Sequence, residues 1–327
     1  MRRFVVGFVA VLMTVGAGVA SAQQPTTVKV GLESTGTFQW VVYAMHYYGI
    51  DKQFNIDVQT QKYATKQASR LALQEGKVDI VVDDFIGVVQ DRLNGIPVQG
   101  VYPYSKATGG VVVPADSPIH SIADLKGKTI AAASLDDKSL LILRALTTSK
   151  YGFDPQVDGK VLSAAPPLMT QLLASGKVDA AIPYWHFVAR MVGSGKYRNI
   201  MNVTDMLVQL GMRTDLPILM VVAREKADPT GVRNFLAALK ATEARMEADS
   251  MDGVWKQILQ KGLYSLPDPS LFPSVRKRWE QGLPTAWNQD VINGLVTLVN
   301  QLVSVAGPNV VGVNELPPNA FTTKYAP

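Results

Sequence analysis

Short apolar runs of strand length punctuate the chain at 78–82, 109–113, 178–182 and 218–222, and the stretches between them carry the mixed polarity of amphipathic helices. Helices are predicted over 69–74 and 167–174, each closed by a glycine two residues further on. Asp228 and Pro229 offer an N-cap and an N1 proline to a helix running to about 249. Further helices at 255–260, 274–281 and 290–305 are expected to cover the outer face of the unit to which the chain returns. Strands alternating with helices imply parallel α/β sheets, which bind ligands beyond the carboxyl ends of their strands.

The pattern is written twice. Gly76-Lys77-Val78-Asp79 recurs as Gly176-Lys177-Val178-Asp179, and Val30-Gly31-Leu32-Glu33-Ser34 aligns at the same offset with Ile130-Ala131-Ala132-Ala133-Ser134. Two matched blocks in one register point to a duplication, and Ser34 and Ser134 should then face each other across a cleft. Gly109 to Val113 reads as a strand leaving the first unit, with Pro114 to Pro118 as its turn into the second. Asp79 and Asp179 are expected to satisfy backbone donors beside the glycine turns.

The amino end changes the picture of location. Met1-Arg2-Arg3, an apolar run over 4–19 and Ala20-Ser21-Ala22 have the form of a secretory signal peptide cleaved after Ala22. The formal charge of +5 becomes +3 (5 − 2) once Arg2 and Arg3 leave, and Arg276-Lys277-Arg278 is the one basic run beyond them, so nucleic acid is not an expected partner. With no cysteine, neither a disulfide, a thiolate metal site nor a lipid-anchored amino terminus is available. At 47% hydrophobic the chain is too apolar for disorder, and a soluble periplasmic protein, expected to be a monomer, is the reading.

The chain resembles the nitrate/sulfonate/taurine-type family of ABC-transporter solute-binding proteins, including its pyrimidine-precursor-binding members. The resemblance runs through Val30-Gly31-Leu32, the 73–79 segment, Asn94-Gly95-Ile96-Pro97-Val98, Ser117-Pro118-Ile119, the segment Ile122-Ala123-Asp124-Leu125-Lys126-Gly127-Lys128-Thr129-Ile130 and the second Gly-Lys-Val-Asp. It implies a bilobal α/β fold of the type II periplasmic-binding-protein kind, two parallel-sheet lobes joined by a two-crossing hinge. The lobes would be 23–113 plus 217–327, and 114–216. The implied partners are a small-molecule ligand held between the lobes and an inner-membrane permease with its cytoplasmic ATPase. Residues 123–126 form one helical turn ended by Gly127, an architectural element and not a site.

Site candidates come from turns at strand ends. The hydroxyl-rich turns hold Ser34, Thr35 and Thr37 in one half and Ser134 and Asp137 in the other, where helix-start N–H groups could bind an anion or simply be capped. Phe38, Tyr184 and Trp185 offer rings for a planar ligand or for the core, and the resemblance favours the tyrosine–tryptophan pair. Asp84 and Thr108 complete the ligand-binding set. Acids at Glu33, Asp83, Asp84, Asp136 and Asp137 favour an amine, a nitrogen-containing ring or a cation over a simple anion. A small organic anion such as a sulfonate or carboxylate remains the alternative. No cofactor or metal motif is expected, and the three histidines stand far apart without a nucleophile motif, so a non-transport enzyme of the same fold is the rival class.

Overall fold

The computed structural model describes residues 24–327, and the predicted signal peptide with its cleavage point lies outside them. Ten strands build two sheets: β1 (Thr26–Glu33), β2 (Ile56–Tyr63), β3 (Ile80–Asp84), β4 (Val98–Ser105), β5 (Gly110–Pro114), β6 (Thr129–Ala132), β7 (Lys160–Ser163), β8 (Ala180–Ile182), β9 (Tyr197–Asn202) and β10 (Leu219–Arg224). The first sheet runs β2-β1-β3-β10-β4 and the second β7-β6-β8-β5-β9. Each is the same order with the partners exchanged, so the duplication read from two short blocks extends over whole sheets.

Both sheets are parallel except for one strand. β10 runs antiparallel to β3 and β4, and β5 antiparallel to β8 and β9. The reason is geometric: β5 and β10 are the strands on which the chain arrives from the opposite lobe. Each starts at the cleft edge, where the parallel strands end, and runs away from it. The strand at 109–113, expected to leave the first lobe, is therefore the entry strand of the second, and the first crossing falls at 106–109. The chain is back in the first sheet at Leu219.

The repeated Gly-Lys-Val-Asp does the same work in both copies. Gly76 and Gly176 take φ of +75° and +67°, conformations that side chains with a Cβ rarely adopt. Asp79 N donates to Lys29 O at 2.7 Å and its Oδ2 accepts from Lys29 N at 3.0 Å; Asp179 repeats this with Thr129 at 2.8 and 2.7 Å. The aspartates thus clip the incoming strand to its neighbour rather than serving the glycine turn. Asp228 caps the helix Pro229–Ala248 through Gly231 N, and the 3₁₀ turn Ile122–Leu125 ends at Gly127, φ +74°.

The carboxyl-terminal helix departs from expectation. Gln289–Ala306 was to cover the first lobe, yet it packs against Lys138–Leu146 of the second. Ile292, Leu295, Leu298, Val299 and Leu302 join a core cluster that holds both Val81 and Val222 of the first sheet and Val111 and Ile130 of the second. Its apolar face suited either lobe, and long-range packing chose. Among the described residues no helix is long and apolar enough to cross a membrane.

Candidate functional site

Between the carboxyl ends of the two sheets lies a cavity of about 70 Å³ lined by residues of both lobes. The first lobe contributes Glu33 at the end of β1, Thr37 and Phe38 at the start of the helix Phe38–Tyr48, Asp83 at the end of β3, Tyr104 on β4, and Lys66. The second contributes Asp137, Lys138 and Ser139 at the start of Lys138–Leu146, and Tyr184, Trp185 and His186 at the start of Trp185–Gly193.

Contacts across the cleft hold the two walls together. Tyr184 Oη donates to Glu33 at 3.1 and 3.3 Å, and Thr35 Oγ1 donates to the same carboxylate at 2.9 Å. Burial nevertheless outweighs these bonds and pushes the Glu33 pKa up. Burial also raises that of Tyr184 well above the usual phenol value, with the Glu33 charge adding to it, so its proton stays in place to donate. Trp185 stands edge-on to Trp40 at 6.2 Å and 78° and belongs to the first lobe's core cluster although it hangs from the second.

His186 is the most constrained group. Its Nε2 lies 2.7 Å from Thr35 O, an acceptor only, so Nε2 carries the proton. Burial lowers its pKa to about 4, leaving a neutral ring at pH 7. Nδ1 is then an acceptor, and it is buried without a partner among the described residues. Asp137 presents a second such atom: Oδ1 caps Ser139 N at 2.9 Å, while Oδ2 is buried with no partner among the described residues.

The two lysines of the cavity differ. Lys66 contacts Asp83 at 2.9 Å and also pairs with Asp84. Burial disfavours its ammonium, but the two carboxylates override that and hold its pKa well above the usual lysine value. Asp84 resists burial and stays below the ordinary carboxylate range because Lys66, Lys138 and Gly87 N face it, whereas burial raises Asp83. Lys138, only 6% exposed, makes no ion pair among the described residues.

Of the predicted site residues, Thr37, Phe38, Asp137, Tyr184 and Trp185 line the cavity; Ser34, Thr35, Asp84, Thr108 and Ser134 do not. Ser34 is exposed and Ser134 is 2% exposed, so the expected pair does not meet across the cleft. The turn after β1 bends outward at Ser34, and Glu33 takes the inward position. Thr35 acts through its neighbours Glu33 and His186, Asp84 caps the helix Phe85–Leu93 through Gly87 N at 2.8 Å, and Thr108 bonds Thr204 at 2.7 Å in the crossing. Glu33, Asp83, Tyr104 and His186 were on the turns considered but outside the chosen set. Lys138 lay in the 134–139 turn, read there for its hydroxyls and acids but not for a cation. Lys66 stood outside every candidate turn, because its reach into the cavity depends on where the helix Lys66–Gln74 packs.

The described residues contain no group of three or more metal-capable side chains. The model of the family described as NMT1/THI5 like matches residues 43–249. No curated protein sequence matches the chain. Among solved structures, the alkanesulfonate-binding protein SsuA of Xanthomonas axonopodis pv. citri bound to MOPS superposes with a TM-score of 0.74 at 19% identity, over 92% of this chain and 99% of that one. The periplasmic aliphatic sulphonate binding protein SsuA of Escherichia coli gives 0.67 at 18%, over 90% and 91%. The periplasmic nitrate-binding protein NrtA of Synechocystis PCC 6803 gives 0.62 at 15%, over 82% and 74%. At these identities the likeness is one of fold.

Proposed function

The chain belongs to the NMT1/THI5-like family, and from that premise we propose that it is the periplasmic solute-binding component of an ABC importer, capturing a small, planar, nitrogen-containing ligand. Binding between the lobes favours the closed form, which docks on an inner-membrane permease driven by a cytoplasmic ATPase. The role is transport, with no reaction at the site.

One observation carries the ligand class: Asp137 and His186, which line the cavity beside the rings of Tyr184 and Trp185, each hold a buried acceptor, Oδ2 and Nδ1, without a partner among the described residues. An unmet buried acceptor is costly, and a ligand N–H relieves it. A neutral imidazole with a protonated Nε2 has no second donor to give, so the pair selects donors. The sulfonate- and nitrate-binding proteins of the same fold make a small organic anion the second reading, and the unpaired Lys138 is the feature that favours it.

Calorimetry against a panel of amines, pyrimidines and sulfonates separates the two. Trp185→Ala should weaken binding of the ligand found by well over tenfold, from lost burial plus about 0.5–1.5 kcal/mol of ring–ring contact. Tyr184→Phe keeps the ring and frees Glu33, so a smaller loss is expected. Unchanged affinity in Trp185→Ala would make it a core residue only, and sulfonates binding where amines and pyrimidines do not would overturn the ligand class.

A further inference from the structure

His186 hangs from the second lobe and is enclosed by the first. Its Nε2 donates to Thr35 O at 2.7 Å, and its backbone carbonyl accepts from Tyr264 Oη at 2.7 Å. Its ring stands 5.8 Å from that of Trp40 and 5.9 Å from that of Tyr264, both of the first lobe's core cluster. These contacts exist only while the lobes are together. With the lobes apart the ring keeps Tyr184, Trp185 and Phe187 of its own segment and loses the other side of its enclosure.

The enclosure accepts one protonation state. A neutral ring needs one acceptor and finds it in Thr35 O, whereas an imidazolium has two N–H groups and Nδ1 has no acceptor among the described residues. An unmet second N–H costs the closed form and not the open one, where water meets it. The surrounding groups do not offset that cost. The helix Phe38–Tyr48 presents Trp40, which is uncharged, Tyr264 directs its hydroxyl to the His186 carbonyl, and Arg190, one turn along the same helix, repels an imidazolium. Glu33 stands behind Thr35 and Tyr184 and is bonded to both, while Lys66, Asp83, Asp137 and Lys138 line the cavity without partnering Nδ1. Burial accordingly holds the pKa of the ring at about 4, against about 6.5 in water.

We infer that His186 is an acid latch between the lobes: neutral, it joins them through Thr35, and protonated, it drives them apart and loosens the hold on whatever lies between. The latch rests on the closure proposed above and not on the class of ligand. Closing expels the proton, so the contribution to closure is fully present above the open-form value and is lost as pH falls toward 4. Between about pH 7.5 and pH 5 the ratio of open to closed molecules should rise roughly thirtyfold.

The test uses the ligand-free mature chain, which has no cysteine, and a locked form in which Leu71→Cys and Leu135→Cys are bridged by a bis-maleimide. Both leucines are about half exposed and adjoin the Arg70–Asp136 pair that spans the cleft. Proton NMR follows the three histidines as acid is added, and solution scattering follows the radius of gyration. His186 should titrate at least about one pH unit higher in the unlocked protein than in the locked one, a tenfold effect on closing. The radius should grow on acidification in the unlocked wild type and stay constant in the locked form. It should also stay constant in His186→Gln, whose amide keeps a donor for Thr35 and takes up no proton. Equal His186 midpoints in the two forms, or the same acid expansion in His186→Gln, overturns the latch. An unlocked radius larger by the same amount at both pH values overturns it and leaves closure standing, whereas equal radii throughout overturn the latch together with closure.

Discussion

His186 is surrounded by the rings of Trp40, Tyr184, Trp185, Phe187 and Tyr264, and that enclosure makes it a pH sensor of stability. Its pKa is held at about 4 in the fold, against about 6.5 for an unfolded chain. Stability from this group is fully present above the unfolded value and is lost as pH falls toward 4, since only the unfolded chain takes up the proton. Denaturant titrations of wild type and His186→Gln between pH 4 and 7 should show the wild type losing up to about 3 kcal/mol more on acidification. Parallel slopes would refute the assignment. Glu243 acts in the opposite direction: burial raises its pKa to about 8, with Glu247 adding to it, so its contribution is present at low pH and fades as pH rises through 8. Glu243→Gln should therefore flatten the fall in stability between about pH 4.5 and 8. Neither burial could be read from one residue and its neighbours, since a histidine or glutamate on a helix reads the same whether it faces water or rings.

At the scale of the element, the paired aspartates are the clearest case of equal geometry with unequal energy. Asp79 and Asp179 make the same two-bond clip, but Asp79 also pairs with Arg224 and is the less exposed of the two. Replacing it leaves a part-buried guanidinium without its carboxylate. Asp79→Ala is expected to cost about 1–3 kcal/mol and Asp179→Ala about 0.5–1.5 kcal/mol, adding in the double mutant because the clips lie in different sheets. Urea titration of the three variants decides this, and a cost larger at Asp179 would be the contrary result. The helix–glycine–strand unit was legible from sequence because glycine, turn and apolar run are neighbours in the chain. The clip was not, since its partner residue, Lys29, stands 50 residues earlier.

For the whole molecule, the question is how tightly the lobes are joined. The ion pair from Arg70 to Asp136 at 3.1 Å spans the cleft, and the same guanidinium bonds Asp91 and lies near Asp83 on the cavity wall. Asp136 is exposed enough that the pair is worth about 0–1 kcal/mol, yet it exists only when the lobes are together. Asp136→Asn should accordingly enlarge the ligand-free radius of gyration in solution scattering and weaken binding by about two- to fivefold, with little change in melting. An unchanged radius and affinity would mean that the pair plays no part in closure. The core cluster shared by both sheets and the helix Gln289–Ala306 makes a single calorimetric transition the expectation for unfolding, where independent lobes would give two.

What the sequence determined by itself is whatever depends on neighbours in the chain: the strand–helix alternation, the two glycine turns, the Asp228 cap, the repeat at one hundred, and through them the fold class. It also marked turns that the structure brings to the cavity, because the strands of parallel sheets end together at one edge. Tertiary structure decided which atoms on those turns matter. Ser34 turns outward and Glu33 inward; Lys66 reaches in from a helix outside every candidate turn; Trp185 crosses to the other lobe's core; the last long helix packs on the second lobe. Each of these is a contact between residues distant in sequence. An apolar helix face or a charged side chain carries no label for its partner, so only the packed molecule shows that Lys66 is held in direct contact by Asp83 and Asp84.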